Sequence, residues 1–177
     1  EVAAAVLDSA NAGASLVHLH VRDARGEQTA DLSHVARTVD KVRSRSDIVL
    51  QVSTGGVSSL SLEERCAGLA DPRVECASLN MGSANFDDGV YINTLPDIRY
   101  WAGRMKAAAI LPELEIFEGG MIDNVRIIQD EGLLPFAPFY AFALGFRGAL
   151  SASPGALTFL RGLLPPGARW GLIHHGM

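Results

Sequence analysis

"SLVHLHVRD", residues 15–23, is an apolar, β-branched run that carries two of the chain's five histidines, His18 and His20. Side chains alternate between the two faces of a strand. His18 and His20 therefore project together, while Val17, Leu19 and Val21 turn to the opposite face. A strand with one apolar face and one polar face, placed among helices, sets the architecture of the rest of the chain.

Working outward, residues 1–12 read as a helix that closes at Gly13, a suitable residue just past a helix end. Downstream, "LSHVARTVDKVRSR" has apolar positions at helical spacing, and "DIVLQV" (47–52) is strand-like. The stretch 59–70 reads as a helix, with Ser61 and Glu64 in capping-box register. Then come a strand at 74–80, a helix at 95–108, a strand at 112–117 and a helix at 119–132. A buried strand at 139–145, a helix from Pro154 to 164 and a last strand at 169–175 complete the alternation. Strands alternating with helices at this spacing predict parallel βαβ units.

A doubly wound sheet and a (β/α) barrel both satisfy that pattern. The first would place GxGxxG at its first strand-to-helix turn, and "STGG" (53–56) does not fit. The polar residues favour the barrel. His18 and His20, Ser53 and Thr54, Ser83 and Asn85, Glu115, and His174 and His175 lie in or just beyond the C-terminal halves of successive strands. In a barrel those ends converge on one mouth, where barrel active sites are built. A full barrel has eight strands and about 250 residues. The expectation is an α/β fold, a TIM (β/α)8 barrel with about six of its eight strands in this chain. It forms a single domain over 1–177, truncated at both ends.

Composition narrows the function classes. The chain has 177 residues, 48% of them hydrophobic, enough for one sizeable core, and a net charge of −5. With no basic run, no nucleic-acid partner is expected. No apolar run approaches the roughly 18–20 residues of a membrane span, and no signal peptide is visible. Cys66 and Cys76 lack ligand spacing and read as buried thiols of a cytoplasmic protein.

The candidate chemistry begins with the histidine pair. Two imidazoles about 7 Å apart at their Cα atoms, twice the strand rise, can chelate one metal. Two hydrogen-bonded core histidines would give the same pattern. In "PELEIF" (112–117) Glu113 and Glu115 alternate with Leu114 and Ile116, which turns both carboxylates to the barrel interior. Interior carboxylates are costly unless a cation, a metal or a donor meets them. "VSTGG" (52–56) offers backbone N–H groups and two hydroxyls for a carboxylate or phosphate, or is an ordinary strand-to-helix turn. Ser83 and Asn85 in "MGSANF" either bind an anion or cap.

Taken in order, "AGASLVHLHVRD", "VSTGG", "LEER", "ASLNMGSANF", "PELEIF" and "GLLPFAPFYAFALGF" resemble the β-keto acid cleavage enzymes, over essentially the whole chain. The resemblance implies a TIM barrel with a catalytic divalent metal, usually zinc, held by His18 and His20. The reaction it implies condenses a β-keto acid with acetyl-CoA to give acetoacetate and a new CoA thioester. It further implies that Ser53, Thr54, Gly55, Gly56, Ser83 and Asn85 cradle the substrate carboxylate. Glu115 would support a catalytic arginine, and the assembly would be a homo-oligomer, a tetramer by family habit.

The sequence also departs from the family. The third metal ligand, a glutamate, and the aspartate and arginine of proton transfer belong to a last-strand arginine-then-"ED" motif that is absent here. Other metal-dependent barrel enzymes, aldolases or hydrolases, remain as alternatives. The amidohydrolase variant needs histidines on middle strands, and none occurs between His34 and His174. A non-catalytic barrel that binds a small acid or metal is the other alternative.

Overall fold

Strands and helices alternate along the described residues, except at one hairpin in the middle of the chain. They run α1 (Val2–Asn11), β1 (Leu16–Leu19), α2 (Leu32–Arg43), β2 (Val49–Val52), α3 (Leu62–Arg65), a 3-10 turn (Ala67–Ala70) and β3 (Cys76–Asn80). A hairpin of β4 (Ala84–Phe86) and β5 (Gly89–Tyr91) follows, then α4 (Leu95–Ala107), β6 (Leu111–Ile116), α5 (Gly120–Asp130), β7 (Phe139–Leu144), α6 (Pro154–Leu163) and β8 (Arg169–His174). This computed structural model describes residues 1–20, 22–27, 29–55 and 60–174, with His174 as backbone only. Six strands form one sheet in the order β1-β2-β3-β6-β7-β8. Every neighbouring pair in it is parallel. The sheet curls with helices between its strands into an incomplete (β/α) barrel, as the sequence predicts. Among the described residues no helix is long and apolar enough to cross a membrane.

Local signals set the helix starts. Ser61 and Glu64 form the predicted capping box: Ser61 Oγ accepts from the Glu64 N–H at 3.2 Å, and Glu64 Oε2 accepts from the Ser61 N–H at 2.8 Å. Thr94 and Asp97 make a second box at the start of α4. The helix expected over 59–70 is only one α-turn here. After Cys66 the chain tightens into the 3-10 turn and lies close on the sheet, where a Cβ on Gly68 would sit 3.4 Å from Val52.

The β4–β5 hairpin was not anticipated. Its strands have three residues each, too few for an alternation to be recognised, and its two-residue turn places Asp87 at a φ of 53°. Aspartate tolerates this left-handed conformation better than most residues.

The two faces of the strands divide as predicted. Leu19 is buried against α2, in a cluster with Val35, Val39 and Leu50. Leu114 and Ile116 are fully buried beneath α4 and α5, in the larger cluster around Trp101, Ile122 and Phe142. Each such side chain contributes about 1.5–3 kcal/mol by leaving water. The opposite, inward face is polar. The pairing register sets His18 beside Gln51 and Gln51 beside Cys76 on one barrel rung. It also sets Ser78 beside Glu113, and Asn80 beside Glu115.

Candidate active site

His18 and His20 share the inward face at the open end of β1. The last rung there is the Ser53 N–H to the Leu19 carbonyl at 3.1 Å, so His20 stands just past the paired region. The two Nε2 atoms lie 3.0 Å apart and the ring centroids 4.9 Å apart. On its other side the His18 ring bonds through Nδ1 to Gln51 Oε1. Burial, with the nearby His18 and Arg22, lowers the His20 pKa to about 4, so that ring is neutral at neutral pH. Two imidazole nitrogens on one tetrahedral zinc, each about 2.0–2.1 Å from it, lie about 3.3 Å apart. The observed pair therefore fits as two ligands of a metal. Among the described residues no group of three or more His, Cys, Asp or Glu side chains is placed to hold one.

The pair opens onto a cavity of about 450 Å³. Gln51, Glu113 and Glu115 complete its polar side, and Phe86, Tyr91, Phe117 and Phe146 form its aromatic wall. The rings brace one another, with Phe86–Phe146 centroids 5.0 Å apart, Phe117–Phe146 5.1 Å and Phe86–Tyr91 5.9 Å. Glu115 sits deep in this hollow. Burial, reinforced by the Glu113 charge, pushes its pKa up to about 7. Among the described residues no cation pairs with it. A carboxyl group so poised is able to take or give a proton near neutral pH.

The other predicted site residues are dispersed. Ser53 lines the cavity, and its Oγ accepts from the Gly55 N–H at 3.0 Å. Thr54 is buried, and its hydroxyl donates to the Ser78 carbonyl at 2.6 Å, bracing the loop against β3. Gly56 lies outside the described residues. Ser83 Oγ accepts from the Asn93 N–H at 2.8 Å, which ties the chain before β4 to the chain after β5. Asn85 is exposed on the face of β4 opposite Phe86, paired across the hairpin with Val90. Strand alternation thus turns the aromatic ring, and not the amide, into the cavity.

Gly55 has a firm steric role. A Cβ there would lie 1.9 Å from the Tyr91 hydroxyl oxygen. Tyr91 is only 4% exposed and packs edge-on against Phe86 and Phe117, so relieving the clash means displacing a packed ring. Gly55→Ala is expected to cost about 3 kcal/mol, the upper range for overpacking. It should show as a lowered denaturant midpoint at unchanged m-value, and a midpoint equal to the parent's would refute the contact.

A sequence profile of the beta-keto acid cleavage enzyme family matches residues 1–177. The chain belongs to this family. It is 31% identical over 172 residues to the 3-keto-5-aminohexanoate cleavage enzyme of Fusobacterium nucleatum, covering 96% of this chain and 62% of that protein. It is 38% identical over 165 residues to the 3-oxoadipate:acetyl-CoA acetyltransferase of Cupriavidus necator, covering 90% of this chain and 57% of that protein. This beta-keto acid cleavage family chain therefore spans about three fifths of those relatives' length. The apo structure of ObcA superimposes with a TM-score of 0.72 at 19% identity, over 92% of this chain and 44% of ObcA, which establishes the shared fold.

Several residues central to the family chain's site escaped sequence reasoning. Gln51 carried a signal, being a polar residue in an apolar strand at the alternation step that faces the barrel interior. Arg65 carried none beyond its place in "LEER". Its guanidinium donates to the Thr54 and Ile92 carbonyls at 3.0 Å each and to Asn93 Oδ1 at 2.6 Å. It also lies over the Trp101 ring, 3.9 Å from the centroid. The aromatic wall draws on three separate segments, the β4–β5 hairpin and the chain after β6 and after β7, which no local pattern links.

Proposed function

We propose that the protein is a metal-dependent β-keto acid cleavage enzyme that exchanges acyl groups with acetyl-CoA. In this reaction the carbon between the keto and carboxylate groups loses a proton and bonds to the acetyl carbonyl, releasing the CoA thiolate. The thiolate then takes the original acyl group as the carbon–carbon bond breaks, and the carbon released regains the proton it lost, leaving acetoacetate and a new acyl-CoA. The observation that carries this reading is the convergence of His18 and His20 Nε2 at the cavity, in a chain of this family. Relatives named for acetyl-CoA-dependent transfer support the reaction class.

A divalent metal, zinc as the preferred ion, would be held by His18 and His20 together with a further ligand, and when bound it supplies Lewis-acid polarisation of the keto group. The chain's own residues supply the rest. Ser53 and the Gly55 turn offer donors for the substrate carboxylate. The four aromatic rings exclude water and receive the acyl tail. Glu115 holds a proton, or steadies an arginine, beside the reacting carbons. Thr54 and Ser83 keep the loop and hairpin in place around this pocket.

A second reading, a barrel that binds a small acid or metal without turnover, has one observation in its favour. Among the described residues no lysine or arginine lines the cavity and no third metal ligand joins the histidines. Metal content and acyl exchange, measured on the purified chain beside a His18→Ala/His20→Ala double variant, separate the two. The expected result is stoichiometric divalent metal in the parent and none in the variant, with acetoacetate and a new acyl-CoA formed only by the parent. Metal without exchange favours the binding reading, and no metal in either sinks the enzyme reading for this chain.

A further inference from the structure

Gln51 is 1% exposed, and its amide stands between two neighbours on the same barrel rung, His18 on β1 and Cys76 on β3. Its Oε1 meets His18 Nδ1. An amide oxygen only accepts, so His18 Nδ1 must carry the hydrogen, and in the neutral imidazole Nε2 then carries the lone pair. The far side of the rung fixes which way round the amide sits. The Cys76 thiol directs its hydrogen toward the Leu50 carbonyl, with Sγ 3.8 Å from the oxygen. Sulfur therefore presents lone pairs to Gln51, and the amide N–H faces that side while the oxygen faces the imidazole. Sulfur is a poor acceptor, and Gln51 Nε2 is left buried without a full hydrogen bond.

An unpaired amide costs about 1–3 kcal/mol. An unbranched apolar side chain would fill the rung without that cost, so the amide's contribution lies in its bond to His18. We propose that Gln51 is a positioning residue that locks His18 in its Nδ1–H tautomer and aims the Nε2 lone pair at the point shared with His20. Metal-ligating histidines commonly have such an outer partner, whose loss lowers metal affinity about 10–100-fold. This inference rests on the proposed function only in taking that shared point as a metal position. The tautomer exists with or without metal.

The test records imidazole nitrogen signals by long-range proton–nitrogen NMR at pH 8, on the metal-free chain, the Gln51→Met variant and the Gln51→Glu variant. Zinc affinity is measured on the same three samples. In the parent, His18 Nε2 is expected to be unprotonated and Nδ1 protonated. Gln51→Met should move His18 toward the Nε2–H form and weaken zinc binding about tenfold or more. Gln51→Glu, which keeps an acceptor at the same place, should restore both. A protonated Nε2 on His18 in the parent overturns the proposal without reference to any variant. So does a Met variant that keeps the parent's tautomer. A tautomer that responds as expected in a chain that binds no zinc supports the positioning role and places the failure in the metal reading of the proposed function.

Discussion

An Arg65→Met chain is expected to lose about 3–4 kcal/mol of stability. Arg65 donates to acceptors on two segments, among them the Thr54 carbonyl after β2, and the Ile92 carbonyl and Asn93 Oδ1 after β5. Asn93 is 2% exposed, so its oxygen gains no water when the guanidinium leaves. Hydrogen bonds from a charged donor contribute about 1.5–3 kcal/mol each before the cost of burying the charge. Stacking on Trp101, worth up to about 2 kcal/mol when desolvated, is lost as well. Arg65→Lys should recover only part of the loss, because an ammonium cannot reproduce the planar fork. Chemical denaturation of the three chains measures this, and a loss below about 1 kcal/mol for the Met variant would show that loop and hairpin hold without the arginine. Gly55 and Tyr91 meet where this arginine joins their segments, so the same variant should loosen the cavity wall.

Glu115 sets the second large effect, one that depends on pH. Its folded-state pKa of about 7 stands above its ordinary value of 4.5. Between those two values the folded state holds a proton that the unfolded state has released. Stability therefore falls as pH rises through that window and levels off above it. A shift of that size corresponds to about 3 kcal/mol. Glu115→Gln removes the titration and keeps the shape. It should match the parent below pH 4.5 and exceed its stability by about 3 kcal/mol at pH 8. Unfolding curves across that range decide it, and a difference that does not vary with pH would contradict the account. A cation seated beside Glu115 would lower its folded-state pKa and flatten this dependence, reversing it only if that pKa fell below the unfolded value.

The six parallel strands, the helices between them and the inward turn of His18, His20, Glu113 and Glu115 were legible from the sequence. They follow from periodicity: a repeat of two sends alternate residues to opposite faces, and apolar residues at helical spacing seek the sheet. The capping box at Ser61 was legible for a similar reason, since its donors and acceptors lie three residues apart. Family membership was legible from the order of six short motifs. The tertiary structure alone decided which polar residues share a cavity. Ser53 reaches it, whereas Thr54 and Ser83 bond to Ser78 and to Asn93, and the hairpin register sets Asn85 opposite Val90 on the exposed face. Those outcomes depend on partners 5 to 24 residues away. The same holds for the bond of Gln51 to His18, the Arg65 tie and the aromatic wall. Contacts between segments distant in the chain leave no local pattern, because strand register and close packing, not sequence spacing, bring them together.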